Sequence, residues 1–257
     1  MPLIPTRPNL ALYIAVFLML ALAAFGPIAQ LSDYPHFADQ RSLFGIPNAG
    51  DVLSNVGFLL VAVYGLLQWD RAGVAQIGHT AYGVFFAAFA LTAAGSVWYH
   101  LAPDDTRLVW DRLPIALACA ALLSAELQRA LPAAGWALRS LLPLCAFGAA
   151  GVAWWHFTGD LRPYLMIQAA PLLLIPALHW QARSAMGRRT AFVLAIVLYV
   201  VAKMFEVADA GALSALGLVS GHTMKHLLAA AAGLILVWQF SRWKLHALDC
   251  TSPRAHA

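Results

Sequence analysis

The 257-residue chain is 61% hydrophobic and only 11% charged, with a mean hydropathy of +0.72. Soluble domains run at about 25% charged and 45–50% apolar, so this composition excludes a water-soluble globule and a disordered chain, and three cysteines cannot make a disulfide framework. The net charge of +4 comes from basic residues scattered between apolar runs, a pattern that orients a membrane protein and is no nucleic-acid footprint.

Along the chain, eight apolar stretches approach the roughly 20 residues that a membrane-crossing helix needs: 9–30, 51–68, 77–100, 108–128, 136–157, 163–180, 190–208 and 222–240. Loop-like breaks part them, among them Ala102-Pro103-Asp104-Asp105 and Thr158-Gly159-Asp160. Strands of a transmembrane barrel are about ten residues long and alternate in polarity, whereas these runs are twice that and apolar all round. The expected fold class is all-α, a single polytopic membrane bundle over 1–257. It comprises an additional amino-terminal helix at 9–30, a seven-helix core at 51–240 and a short tail at 241–257. Arg7 and the small residues near the end of the first run have the look of a signal peptide. The run is longer than a signal core and lacks an A-x-A site, so it reads as an uncleaved helix.

With eight spans the two termini share a face. That face collects Arg7, Arg71, Arg129, Arg139, Arg183, Arg188, Arg189, Arg242, Lys244 and Arg254, against Arg41, Arg107 and Arg162 on the other. Ten against three places both termini in the cytoplasm. Thirteen Arg to three Lys and no eukaryotic targeting signal point to a bacterial inner membrane.

Ionisable groups inside spans cost about 2.5–3.5 kcal/mol each on insertion scales, which makes each one a functional hypothesis. Gly95-Ser96-Val97-Trp98-Tyr99-His100 closes the third run and sets Ser96 and His100 at i and i+4. Val109-Trp110-Asp111-Arg112-Leu113-Pro114 opens the fourth, and Gly221-His222-Thr223-Met224-Lys225-His226 opens the eighth with a second i, i+4 pair. By the span count all three lie on one membrane face, the less basic one. Residues four apart on a helix stand about 6 Å apart, so two imidazoles reach one ion. A third histidine from a neighbouring helix leaves an open position, the form of a catalytic zinc site.

Each piece alone has a plainer reading. Two histidines at i, i+4 also sit at the headgroup level, a serine also packs helix to helix, and Asp111 also suits a helix start or a pair with Arg112. Their joint placement is what favours a metal site. His79 and His179 fall near the opposite ends of their spans and read as interfacial. His156 sits beside Trp154 and Trp155 in what reads as an aromatic belt, and Lys203 and Glu206, at i, i+3, read as an internal ion pair, with Glu206 and Asp209 also on the site face as candidate partners of a zinc-bound histidine.

At these residues the sequence resembles the alkaline ceramidase family, within the superfamily of seven-span hydrolases that also holds the progestin and adipoQ receptors. The shared pattern is Ser-x-x-x-His at one span's end, Asp at the start of the next and His-x-x-x-His in the last. It is matched here by Ser96, His100, Asp111, His222 and His226. The Asp-x-Leu-Pro context and Asn55 of Val52-Leu53-Ser54-Asn55 favour the ceramidase branch. The resemblance implies zinc on His100, His222 and His226, with Asp111 and Ser96 beside the metal's water. It implies cleavage of the N-acyl amide of ceramide, or of a similar membrane lipid, to an amine base and a fatty acid. No nucleic acid or protein partner is implied.

Three departures accompany it. The segment 9–30 is additional to seven spans. Of the family's acidic calcium stretch only Asp33 persists, with Asp39 and Asp51 as the other nearby carboxylates. The charge count sets the site on the periplasmic face, whereas the family's zinc lies near the cytosol; an added first span turns the core over. Two other classes fit the same motifs: a lipid-responsive receptor of the adipoQ type, and a bis-histidine haem protein.

Overall fold

The computed structural model of the chain describes residues 9–31, 34, 36–72, 77–131 and 137–249. Among these the elements are helices alone: α1 Leu10–Ala24, α2 Ala49–Ser54, α3 Val56–Ala72, α4 His79–Leu101, α5 Asp105–Ala130, α6 Ala137–Thr158, α7 Arg162–Gln181, α8 Met186–Val207, α9 Asp209–Leu216 and α10 Gly221–Asp249. Seven segments are long and apolar enough to cross a membrane, the first made by α2 and α3 together. The all-α polytopic bundle expected from the apolar runs is the observed fold, and such a chain is read as an integral membrane protein. Its outer faces carry exposed Leu59, Leu60, Val63, Val193, Leu194 and Val197, surface that only a lipid solvent matches.

The sequence reading fails in detail at the first run. In place of a helix over 9–30 there is a 15-residue α1, about 22 Å long at 1.5 Å per residue. It stops at Phe25, ahead of Gly26-Pro27, where the residue before a proline is held out of the α region. The helix lies antiparallel to α7 and is fastened at both ends. Ala11 N–H donates to Gln181 Oε1 at 3.0 Å near the end of α7, and Arg162 Nη1 donates to Phe25 O at 2.5 Å at its start. Asp160 completes the lower anchor by accepting from Ile28 N–H and from Arg162.

Two glycines bring the site helices together. A Cβ on Gly95 would stand 2.0 Å from the carbonyl oxygen of Trp110, so α4 and α5 touch backbone to backbone one residue before Ser96. A Cβ on Gly221 would stand 2.1 Å from Phe205 O, so α10 starts hard against the end of α8. The first contact carries Ser96 and His100 to Asp111, and the second sets His222 and His226. Asn48, in the left-handed region at φ 46°, ties the preceding loop to the same place by donating to His100 O at 2.8 Å.

Candidate metal centre

His100, at the last turn of α4, and His222 and His226, in the first turns of α10, are all buried. Their potential ligand nitrogens lie within 4.8 Å of one another, and their ring centroids are 4.8, 4.9 and 5.1 Å apart. The three residues expected from the spacing are therefore brought together from two helices. Phe37 roofs the group, its ring 4.6 Å from His100 and 4.5 Å from His222.

Hydrogen bonding around the rings decides which nitrogens face inward. The Ser54 hydroxyl donates to Asp51 O at 2.9 Å, so its oxygen is left to accept from His226 Nδ1–H at 2.8 Å. That fixes the tautomer of His226 with a lone pair on Nε2, the form a metal ligand needs. Lys225 Nζ stands 3.0 Å from His222 Nε2, so that nitrogen too presents a lone pair, and the His222 backbone N–H donates to Asp209 Oδ1 at 2.8 Å. Neither ring nitrogen of His100 has a hydrogen-bond partner among the described residues. Buried polar atoms are nearly always paired, and an orphaned imidazole facing two others fits a cation. The donor set of three imidazoles suits zinc, and the three can hold an ion with a position left open.

Asp111 and Ser96 line the same space as His226. The Ser96 hydroxyl lies beside the Asp111 carboxyl, without a completed hydrogen bond of its own. Asp111 does not turn to its neighbour: the Arg112 guanidinium stands 3.9 Å over the Trp155 ring and 5.2 Å from the rings of Tyr34 and Tyr164. Opposite lies Glu206, which the sequence reading placed on this face without its contacts to Lys225 and Tyr34. Glu206 accepts from Lys203 at 2.7 Å, as expected, but also from Lys225 at 2.8 Å and from the Tyr34 hydroxyl at 3.1 Å. Lys225 lies three residues after His222 in the sequence, and nothing in its local pattern showed that it would fold inward. Ser54 gave no signal either.

From this polar end a cavity of about 170 Å³ runs into the bundle. Its walls below Ser96, Asp111 and His226 are mostly apolar, from Phe58, Phe89 and Ile115 down to Phe85, Phe192 and Leu236, with Thr92, Gln168 and Tyr199 among them. α8 packs chiefly on α10 and meets α7 over a short stretch, with Tyr199 O–H donating to Gln168 Oε1 across that seam at 3.3 Å.

The remaining expectations divide. Asp33 lies outside the described residues. Asp39 is taken by Arg41, which donates from Nε at 2.7 Å and Nη2 at 2.8 Å and holds the carboxyl below its usual range. One oxygen of Asp51 accepts from Thr223 at 2.6 Å and from Ser220 at 3.2 Å. Asp39 is thus engaged by protein donors, and Asp51 through one oxygen, its Oδ2 having no hydrogen-bond partner among the described residues. His156 is exposed at the end of α6, against Phe157. His79 and His179, expected at the ends of their spans, are buried within the protein there. His79 stacks on Trp69, and His179 meets Glu126 at 2.7 Å inside the bundle.

No protein-family model matches the chain, and neither the curated proteins nor the solved structures give a match.

Proposed function

We propose that the chain is a zinc-dependent integral-membrane amidase that hydrolyses the N-acyl bond of ceramide or a ceramide-like lipid. The observation that carries this reading is a group of three buried histidines, one of which, His226, lines the polar end of a largely apolar cavity together with Asp111 and Ser96. Nucleophile activation is needed where the polar part of a lipid lies, and a dry apolar space where its chain lies. The motif resemblance to the alkaline ceramidase family points the same way.

His100, His222 and His226 would hold the metal, which when bound lowers the pKa of water to about 7 and polarises a carbonyl. Asp111 is the general base that takes the proton of the attacking water and then delivers it to the departing amine. Ser96 orients that water by a hydrogen bond. Ser54 keeps His226 in the ligating tautomer. Lys225, released from His222 Nε2, stays tied to Glu206 and contributes positive charge where the carbonyl oxygen becomes negative. Asp39 is held by Arg41, and the reading routes no step through calcium. The basic-residue count supports cytoplasmic termini in a bacterial inner membrane, with the site drawing lipid from the periplasmic leaflet.

Purified protein incubated with a panel of N-acyl lipids, followed by mass spectrometry of the products, tests the reading. Chelator-sensitive release of a fatty acid and an amine supports it. Lipid binding without any product would favour the receptor class, and the spectrum of a reduced haem would favour the third.

A further inference from the structure

Beyond the apolar end wall of the cavity lies a buried polar cluster that the proposed chemistry does not use. Tyr82 donates to Glu126 Oε1 at 2.5 Å, and His179 Nε2 lies 2.7 Å from Glu126 Oε2. Arg129 Nη1 adds a contact to the Tyr82 hydroxyl at 3.3 Å. The side chains of Glu126 and His179 are 0% and 4% exposed. Each member stands one helical turn beyond a residue that lines the cavity on the same helix: Glu126 past Leu122 on α5, His179 past Ile175 on α7, and Tyr82 before Phe85 on α4. Residues three or four apart share a helix face, so the three polar groups lie across the end of the apolar walls. Phe192 packs edge-on against the His179 ring at 4.7 Å and belongs to both.

We infer that this cluster is the floor of a chain-length gauge, and that the ligand class is a lipid with one medium-length hydrocarbon chain in the cavity. From Ser96 to Phe85 on α4, and from Asp111 to Leu122 on α5, the walls run eleven residues. At about 1.5 Å per residue that is roughly 16 Å, the length of an extended chain of about a dozen carbons. A longer chain would have to press methylenes against an ion-paired carboxylate, where the loss of hydrogen bonds costs more than burial gains. Below that limit each buried methylene strengthens binding about fourfold.

This inference rests on the proposed lipid site but not on its chemistry, and its test needs no turnover. Saturated fatty acids from eight to twenty carbons are titrated into the detergent-purified full chain, with binding read by native mass spectrometry. Affinity should climb steeply with length and break at about twelve to fourteen carbons. Leu236→Ala and Phe192→Ala, which open space between the cavity and the Glu126 cluster, should move the break two to four carbons longer. Glu126→Gln is the direct probe of the floor and should soften the break, but it also loosens the fold, so the two apolar variants carry the decision. Affinity rising without a break to eighteen carbons, no binding of any acid, or a break unmoved in both apolar variants overturns the gauge. A break that moves while no amide is cleaved would leave the gauge standing and remove only the amidase.

Discussion

Two buried polar clusters occupy opposite halves of the bundle, and they differ in whether the protein answers its own polar groups. Around Glu126 both carboxylate oxygens are met, by Tyr82 and by His179, and His179 Nε2 is spent in the pair, leaving its Nδ1 without a hydrogen-bond partner among the described residues. Around His100 the reverse holds: both ring nitrogens and the nearby Ser96 hydroxyl lack a hydrogen-bond partner among the described residues. A membrane interior supplies no water to make up such a deficit. The Glu126 cluster, whose carboxylate is fully met and which does not line the cavity, is therefore read as structure, and the His100 cluster, which opens on the cavity through Ser96 and His226, as a place for a ligand.

The largest expected effect separates chemistry from metal holding. Asp111→Asn keeps the shape of the carboxylate without its basicity, so turnover should fall by about 10²–10⁴-fold while metal content stays at the wild-type level. Wild-type rates in this variant would remove Asp111 from its role. In the other half, Glu126→Gln strips the charge from a buried pair. Such breaks cost about 3–5 kcal/mol, so thermal unfolding in detergent should come markedly earlier while the folded fraction still binds metal. Equal loss of metal and stability would mean that the two clusters are not independent.

A smaller effect tests the hydrogen bond behind the ligand. Ser54→Ala frees His226 Nδ1, and changes to such supporting groups typically weaken metal affinity about 10–100-fold, readable by competition with a chelator. The smallest effect lies outside both clusters, at the anchor of α1. Arg162 holds the Asp160 carboxyl below its usual range. A depressed folded pKa stabilises above the unfolded value of about 3.9 and loses that contribution as pH falls through the folded one. The stability advantage of the wild type over Asp160→Asn should accordingly be steady near neutrality and shrink in acid.

How much of this was legible in the sequence follows from the range of the interactions. Apolar runs fix seven spans because their length is a local property. The i, i+4 pairs Ser96/His100 and His222/His226 announce a common face for the same reason. Gly95 and Gly221, read only as the first letters of those motifs, are what lets the helices approach closely enough for the pairs to meet. Ser54 gave no such signal, since its partner His226 lies 172 residues away, and Glu206, placed on the site face by its helix register, gave no sign of Lys225 19 residues on. His179 looked interfacial because it sits near a helix end, and only the fold shows Glu126 waiting for it 53 residues back.

The central claim is that the unanswered histidines hold a metal ion, and elemental analysis of the purified chain tests it directly. Wild-type protein should carry about one zinc per chain after exhaustive dialysis. Glu126→Gln should keep the metal in its folded fraction, and the double variant His222→Ala/His226→Ala should lose it. Stoichiometric zinc surviving in that double variant, or none in wild-type protein loaded with zinc, would contradict the account.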